Sequence, residues 1–77
     1  MKLTEKQRAV LNFLRLHIMR SGMPPTRVEI ATNFGFTPNA AECHLQTLAR
    51  KEVISLERGK ARGIRITAAG YIAGSAT

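Results

Sequence analysis

The chain has 77 residues, no aspartate, 12 Lys and Arg against 5 acidic residues, and a formal net charge of +7. That length holds one domain with a small core and little wall for a catalytic cleft, and the charge favours a polyanionic partner, nucleic acid before an anionic membrane surface. A lone cysteine rules out an internal disulfide. No leader-like segment and no apolar run of about 18 residues occurs, so a reducing cytoplasm is expected rather than secretion or a membrane.

Thr4 followed by Gln7 is a capping-box pattern, which predicts a first helix opening near Glu5. Val10, Phe13, Leu14 and Ile18 are spaced as its buried seam, with Arg8, Asn12 and Arg15 on the wet side, and Ser21-Gly22 ends it. Met23-Pro24-Pro25 must be extended. Thr26 with Glu29 repeats the capping box and opens a short helix through Phe34, with Ile30, Ala31 and Phe34 inward and Gly35 as its stop. Phe36 is expected to plug the core beneath a four-residue turn. Thr37 then caps a third helix, about 38–51, with Pro38 at its first position, where a missing N–H costs nothing.

At about 100° per residue, Ala41, Leu45, Leu48 and Ala49 form one stripe of that helix. Asn39, Glu42, Cys43, Gln46, Thr47 and Arg50 fall opposite. After Lys51 the period changes to two: Ile54 and Leu56 alternate with Ser55 and Glu57, and Ile64 and Ile66 flank Arg65. Arg58-Gly59-Lys60-Ala61-Arg62-Gly63 between them is a basic tip. The predicted fold is small α+β, mainly α: a winged helix-turn-helix of three helices plus a two-stranded β-hairpin wing. It spans 1–67, and 68–77 is a small-residue-rich C-terminal tail expected to be loosely held.

A helix face of donors and acceptors of different lengths suits base edges in a DNA major groove. Asn39 can pair with adenine, Glu42 can accept from cytosine N4, and Ala40 offers a methyl to thymine. Gln46 and Arg50 continue the face. Arg27 is a candidate phosphate clamp, and Lys51, Arg58, Lys60, Arg62 and Arg65 are candidates to line the backbone or the minor groove. Cys43, His44 and His17 do not make a zinc site, because neighbouring helical side chains diverge and too few ligands converge. No metal and no cofactor are expected. His44 is placed at the core edge.

The residues Gly22-Met23-Pro24-Pro25-Thr26-Arg27, Glu29-Ile30-Ala31, Gly35-Phe36 and Pro38-Asn39-Ala40-Ala41-Glu42 carry a denser signal than any one motif. With His44-Leu45, Leu48-Ala49-Arg50-Lys51, Val53-Ile54 and Arg62-Gly63-Ile64-Arg65 they resemble the N-terminal DNA-binding domain of the LexA repressor family over about residues 3–66. The resemblance implies a bacterial or phage regulator of transcription, a repressor of the SOS-response type. It maps the base-reading residues of the family onto Thr37, Asn39, Ala40, Glu42 and Cys43. Two departures stand out. Cys43 takes the place of a usual glutamate, and the turn before helix 3 is one residue shorter than the common Phe-Arg-Ser-Pro form.

LexA repressors also cleave themselves with a Ser–Lys pair in a dimerising C-terminal domain. No Ser and Lys here suit that dyad, and Ala69-Gly70 and Ala73-Gly74 match the family's scissile dipeptide only as small residues common in any tail. A non-enzyme is expected, monomeric in solution and paired, if at all, on a palindromic operator. The alternatives are an antirepressor-like protein-interaction module and the DNA-binding fragment of a longer self-cleaving repressor. Thr67-Ala68-Ala69-Gly70 is also similar to MarR-type regulators, where it leads into a dimerising helix.

Overall fold

The computed structural model describes residues 3–57, 59 and 62–75. The elements run α1 (Glu5–Ser21), α2 (Arg27–Phe34), α3 (Pro38–Arg50), β1 (Ile54–Leu56), β2 (Ile64–Ile66) and α4 (Ala68–Ser75). The helix starts are made by local chemistry. The Thr4 hydroxyl accepts from the Gln7 N–H at 3.1 Å, while the Gln7 side chain accepts from the Thr4 N–H at 3.0 Å. Thr26 and Glu29 repeat the exchange at 3.1 and 2.8 Å. Thr37 accepts from the Ala40 N–H at 3.1 Å, with Pro38 in the first turn. Each such cap contributes about 1 kcal/mol. Gly35 ends α2 at φ +70°, a left-handed conformation that a Cβ would strain.

The turn between α2 and α3 has three residues, Gly35, Phe36 and Thr37, rather than four, and the Phe36 N–H donates to the Ala31 carbonyl at 2.9 Å. The core lies where α1, α2, α3 and the hairpin meet: Val10, Leu11, Leu14, Ile30, Ala41, Leu45, Leu48, Ile54 and Ile64 are buried. Two expectations are corrected there. The α1 seam is rotated toward Leu11, leaving Phe13 and Ile18 half-buried, and Arg8, Asn12 and Arg15 are half-buried rather than fully wet. The rotation leaves Arg8 Nε, Asn12 Oδ1 and Arg15 Nε out of water without a hydrogen-bond partner among the described residues.

Phe36 is half-buried and stacked, rather than plugged into the core. Its ring lies 5.2 Å from Phe34 and 4.8 Å from His44, and Phe13 meets Phe34 edge-on at 5.5 Å. His44 therefore does sit at the core edge. This aromatic column braces α1, α2 and α3 against one another.

The wing is antiparallel, with Ile54 opposite Ile66, Ser55 opposite Arg65 and Leu56 opposite Ile64. Its isoleucines close the core and Ser55 and Arg65 face solvent. The segment after β2 is the largest difference from the sequence reading: over Ala68–Ser75 it is a helix rather than a loose tail. Thr67 starts it by accepting from the Gly70 N–H at 3.1 Å and donating its hydroxyl to the Glu52 carbonyl at 2.7 Å. The Thr67 N–H also holds the Val53 carbonyl at 3.1 Å. Gly70 is buried on that carbonyl, where an added Cβ would collide. α4 packs against α1 and β2.

Candidate nucleic-acid interface

The buried stripe of α3 is Ala41, Leu45 and Leu48, so its inner side is fixed by the core. The side chains turned furthest from it are Asn39, Cys43, Gln46 and Arg50, all exposed. Their spacing, i, i+4, i+7, i+11, makes one continuous ridge along the helix. Thr37 caps the N-terminal end of the ridge and is exposed, and Ala40 flanks it half-buried. The Asn39 side chain has no hydrogen-bond partner among the described residues. Near the C-terminal end Arg50 Nη2 donates to Thr47 Oγ1 at 3.3 Å, and that hydroxyl donates to the Cys43 carbonyl at 3.0 Å.

Glu42 does not stand on the ridge. It is half-buried and turned toward α2, where Arg27 Nε donates to Glu42 Oε1 at 2.8 Å. Gln46 Nε2 donates to the other oxygen at 2.6 Å. The Arg27 guanidinium first, and the Gln46 amide second, hold the Glu42 carboxyl below the usual carboxylate range. Arg27 meanwhile keeps its terminal nitrogens outside the Glu42 contact, and its side chain is 25% exposed.

The basic residues of the second half divide. Arg62 reaches away from the wing tip to the start of α2. Its Nη1 donates to the Pro24 carbonyl at 2.8 Å and to Glu29 Oε1 at 2.9 Å. Glu29 is held below the usual carboxylate range by the Thr26 backbone N–H first and by Arg62 second. His17 joins this cluster: its Nδ1 donates to the Met23 carbonyl at 2.8 Å, and its Nε2 lies 4.0 Å from Glu29 Oε1. Lys51 Nζ donates to Gln7 Oε1 at 2.6 Å, tying the end of α3 to the start of α1. Arg65 pairs with Glu57 at 3.1 Å across the wing and is otherwise open to solvent. Arg58 and Lys60 lie outside the described residues.

The tertiary structure thus brings together Thr37, Asn39, Ala40, Cys43, Gln46 and Arg50 on α3, with Arg27 beside them. It separates Arg62 and Lys51, whose partners are fixed within the protein. Glu29 and Gln7 were legible in the sequence only as capping residues. Their second partners stand 33 and 44 positions away and leave no local signal. Among the described residues no group of three His, Cys, Asp or Glu side chains could hold a metal ion. Among the described residues no helix is long and apolar enough to cross a membrane.

Residues 1–63 match the family described as the LexA DNA binding domain. The LexA repressor of Ralstonia pickettii is 56% identical over 69 residues, 88% of this chain and 32% of that protein. That of Bordetella petrii is 54% identical over 70 residues, covering 90% of this chain and 31% of the repressor. The chain spans about a third of the length of the curated relatives it matches. Among solved structures, MepR of S. aureus in a DNA complex is similar in fold at a TM-score of 0.73, with 25% identity over 94% of this chain and 52% of that one.

Proposed function

The chain belongs to the LexA DNA-binding domain family, and from that premise we propose that it binds double-stranded DNA sequence-specifically as the reading module of a transcriptional repressor. The observation that carries the reading is the exposed ridge of α3. A helix carrying Asn39, Cys43, Gln46 and Arg50 in one line, braced from behind by Leu45 and Leu48, presents an amide, a thiol, an amide and a guanidinium to a groove of matching width. Thr37 and Ala40 border the same face. Arg27, beside that face, is assigned to a flanking phosphate. Arg65, with Arg58 and Lys60, supplies the wing's contact to the backbone or the minor groove. Arg62 and Lys51 serve the interface by holding the wing and α3 in place.

The activity is binding, not bond-breaking, and its place is the bacterial cytoplasm, where the chromosome lies. The module is a monomer in solution. Two copies pair on a palindrome whose half-sites lie about one helical turn apart, gaining affinity from effective concentration. The net charge of +7 and the LexA repressor relatives support a DNA partner over a protein one, and the fold neighbour crystallised with DNA is consistent with that choice.

The test is fluorescence anisotropy on a duplex selected from a random pool. With about five phosphates neutralised, log K is expected to fall against log salt with a slope of about −4.5. Asn39→Ala should weaken the selected duplex by roughly 1–3 kcal/mol and random DNA much less. Affinity indifferent to salt would overturn the DNA partner. An intact preference in Asn39→Ala would remove α3 as the reader.

A further inference from the structure

We infer that His17, Glu29 and Arg62 form a proton-sensitive latch on the wing. Adding a proton to the His17 imidazole loosens the hold of Glu29 on Arg62, and with it the tie between the hairpin and the start of α2.

Three elements meet at one carboxylate oxygen. Arg62 comes from the wing, Glu29 from the first turn of α2 and His17 from the last turns of α1. Arg62 Nη1 lies 2.9 Å and His17 Nε2 4.0 Å from the same atom, Glu29 Oε1. That oxygen also accepts from the Thr26 N–H at 2.8 Å, a bond set by the cap of α2. Its two lone pairs are therefore taken. Arg62 Nη2 reaches the other oxygen at a stretched 3.4 Å.

The imidazole is held in place. Its Nδ1 donates to the Met23 carbonyl at 2.8 Å, and the Phe13 ring meets it edge-on at 5.9 Å. Ser21 Oγ stands 3.2 Å from Nδ1 and donates to the His17 carbonyl at 2.8 Å. With the proton of the neutral ring on Nδ1, Nε2 carries a lone pair, and it is this lone pair that faces the carboxylate. Protonation replaces it with an N–H and a charge. Among the described residues the charged groups facing that nitrogen are Glu29 of α2 and, across it, Arg62 of the wing.

Two effects then act on Arg62. The new N–H competes for Oε1, and of the two donors already there the Thr26 N–H is fixed by its helix, so Arg62 yields. Repulsion adds to this. The Arg62 and His17 nitrogens are at most about 7 Å apart across Oε1, where like charges in water weaken the Arg62 hold roughly two- to threefold. The bond from Arg62 to the Pro24 carbonyl, 2.8 Å, does not depend on Glu29, so the wing is loosened and not cast off. For DNA the consequence rests on the reading role proposed above: the contact of the wing varies with pH on this account, whereas the reading face of α3 does not.

The experiment contains no DNA, so its failure is separate from a failure of that role. The imidazole C–H resonances of the two histidines are titrated by NMR at low ionic strength in the wild type and in four variants. Coupling is reciprocal: if Arg62 resists the proton, the proton loosens Arg62. Arg62→Ala and Arg62→Gln should both raise the His17 midpoint by about 0.3–0.5 pH unit, the same two- to threefold factor. Arg62→Gln keeps a donor for Pro24 without the charge, which guards against a change caused by misfolding. Glu29→Gln should lower the midpoint. Arg65→Ala removes a wing charge outside the cluster and should leave it in place. The wing itself is read by hydrogen exchange at the Glu57 amide, bonded to the Gly63 carbonyl at 2.7 Å. Corrected for intrinsic rates, its protection in the wild type should be lower at about pH 5.5 than at about pH 7.5, and His17→Gln should abolish the difference. A His17 midpoint that stays or falls in Arg62→Gln overturns the latch, as does a Glu57 protection indifferent to pH.

Discussion

Substituting Gly70 by alanine sets local propensity against tertiary packing, and the two predict opposite signs. In an isolated helix the change is favourable by about 1 kcal/mol, since glycine is the weaker helix former. In this protein the new methyl would lie 2.8 Å from Ile66 Cγ2 and closer still to the carbonyl oxygen of Val53. That oxygen is main-chain and already accepts from the Thr67 N–H, so it cannot rotate aside as a side chain would. Overpacking of this kind costs typically 1–3 kcal/mol, and a backbone obstacle puts it at the upper end. The net is a loss of about 1–2 kcal/mol, with α4 lifting from Val53 as the least costly relief. For a domain of this size the melting temperature should fall by about 4–16 °C. Thermal unfolding by circular dichroism measures it. Hydrogen exchange at the Tyr71 amide, bonded to the Thr67 carbonyl at 3.0 Å, should quicken more than exchange at the Leu45 amide. A higher melting temperature in Gly70→Ala would refute the seating of α4 on Val53.

Leu45→Ala empties a fully buried position of α3 and should cost about 2–5 kcal/mol. Against a total of roughly 4–12 kcal/mol for this length, a large drop in the urea midpoint is expected. Glu52 is held at φ +61° between α3 and β1, so Glu52→Gly should raise the unfolding free energy measured in urea by about 0.5–1 kcal/mol, the left-handed strain relieved less the added freedom of the unfolded chain. The carboxyls of Glu29 and Glu42 are both held below the usual range, so below it the unfolded state binds more protons and stability falls as pH drops through the folded values. Glu29→Gln should flatten that loss in urea titrations at about pH 7 and pH 3, and an unchanged acid slope would show that the Thr26 and Arg62 bonds to Glu29 do not stabilise the fold.

What the sequence determined by itself is everything set within a few residues. Thr4 with Gln7 and Thr26 with Glu29 read as capping boxes because the groups that satisfy each other are three positions apart. Gly35 and Pro38 bound the turn through their own backbone preferences, and the change of period after Lys51 located the wing. The face of α3 was legible too, since Ala41, Leu45 and Leu48 left only one side for solvent. Tertiary structure decided the rest. Leu11 displaced Phe13 from the α1 seam because Phe13 found an aromatic partner in Phe34. Arg62 left the wing for Glu29, and Glu42 left the reading ridge for Arg27. These are charge pairings between residues far apart in the chain, which periodicity does not encode. The segment after Ile66 has glycines that weaken any helix, and it becomes one only because Thr67 caps it and Gly70, lacking a side chain, can lie against the Val53 carbonyl.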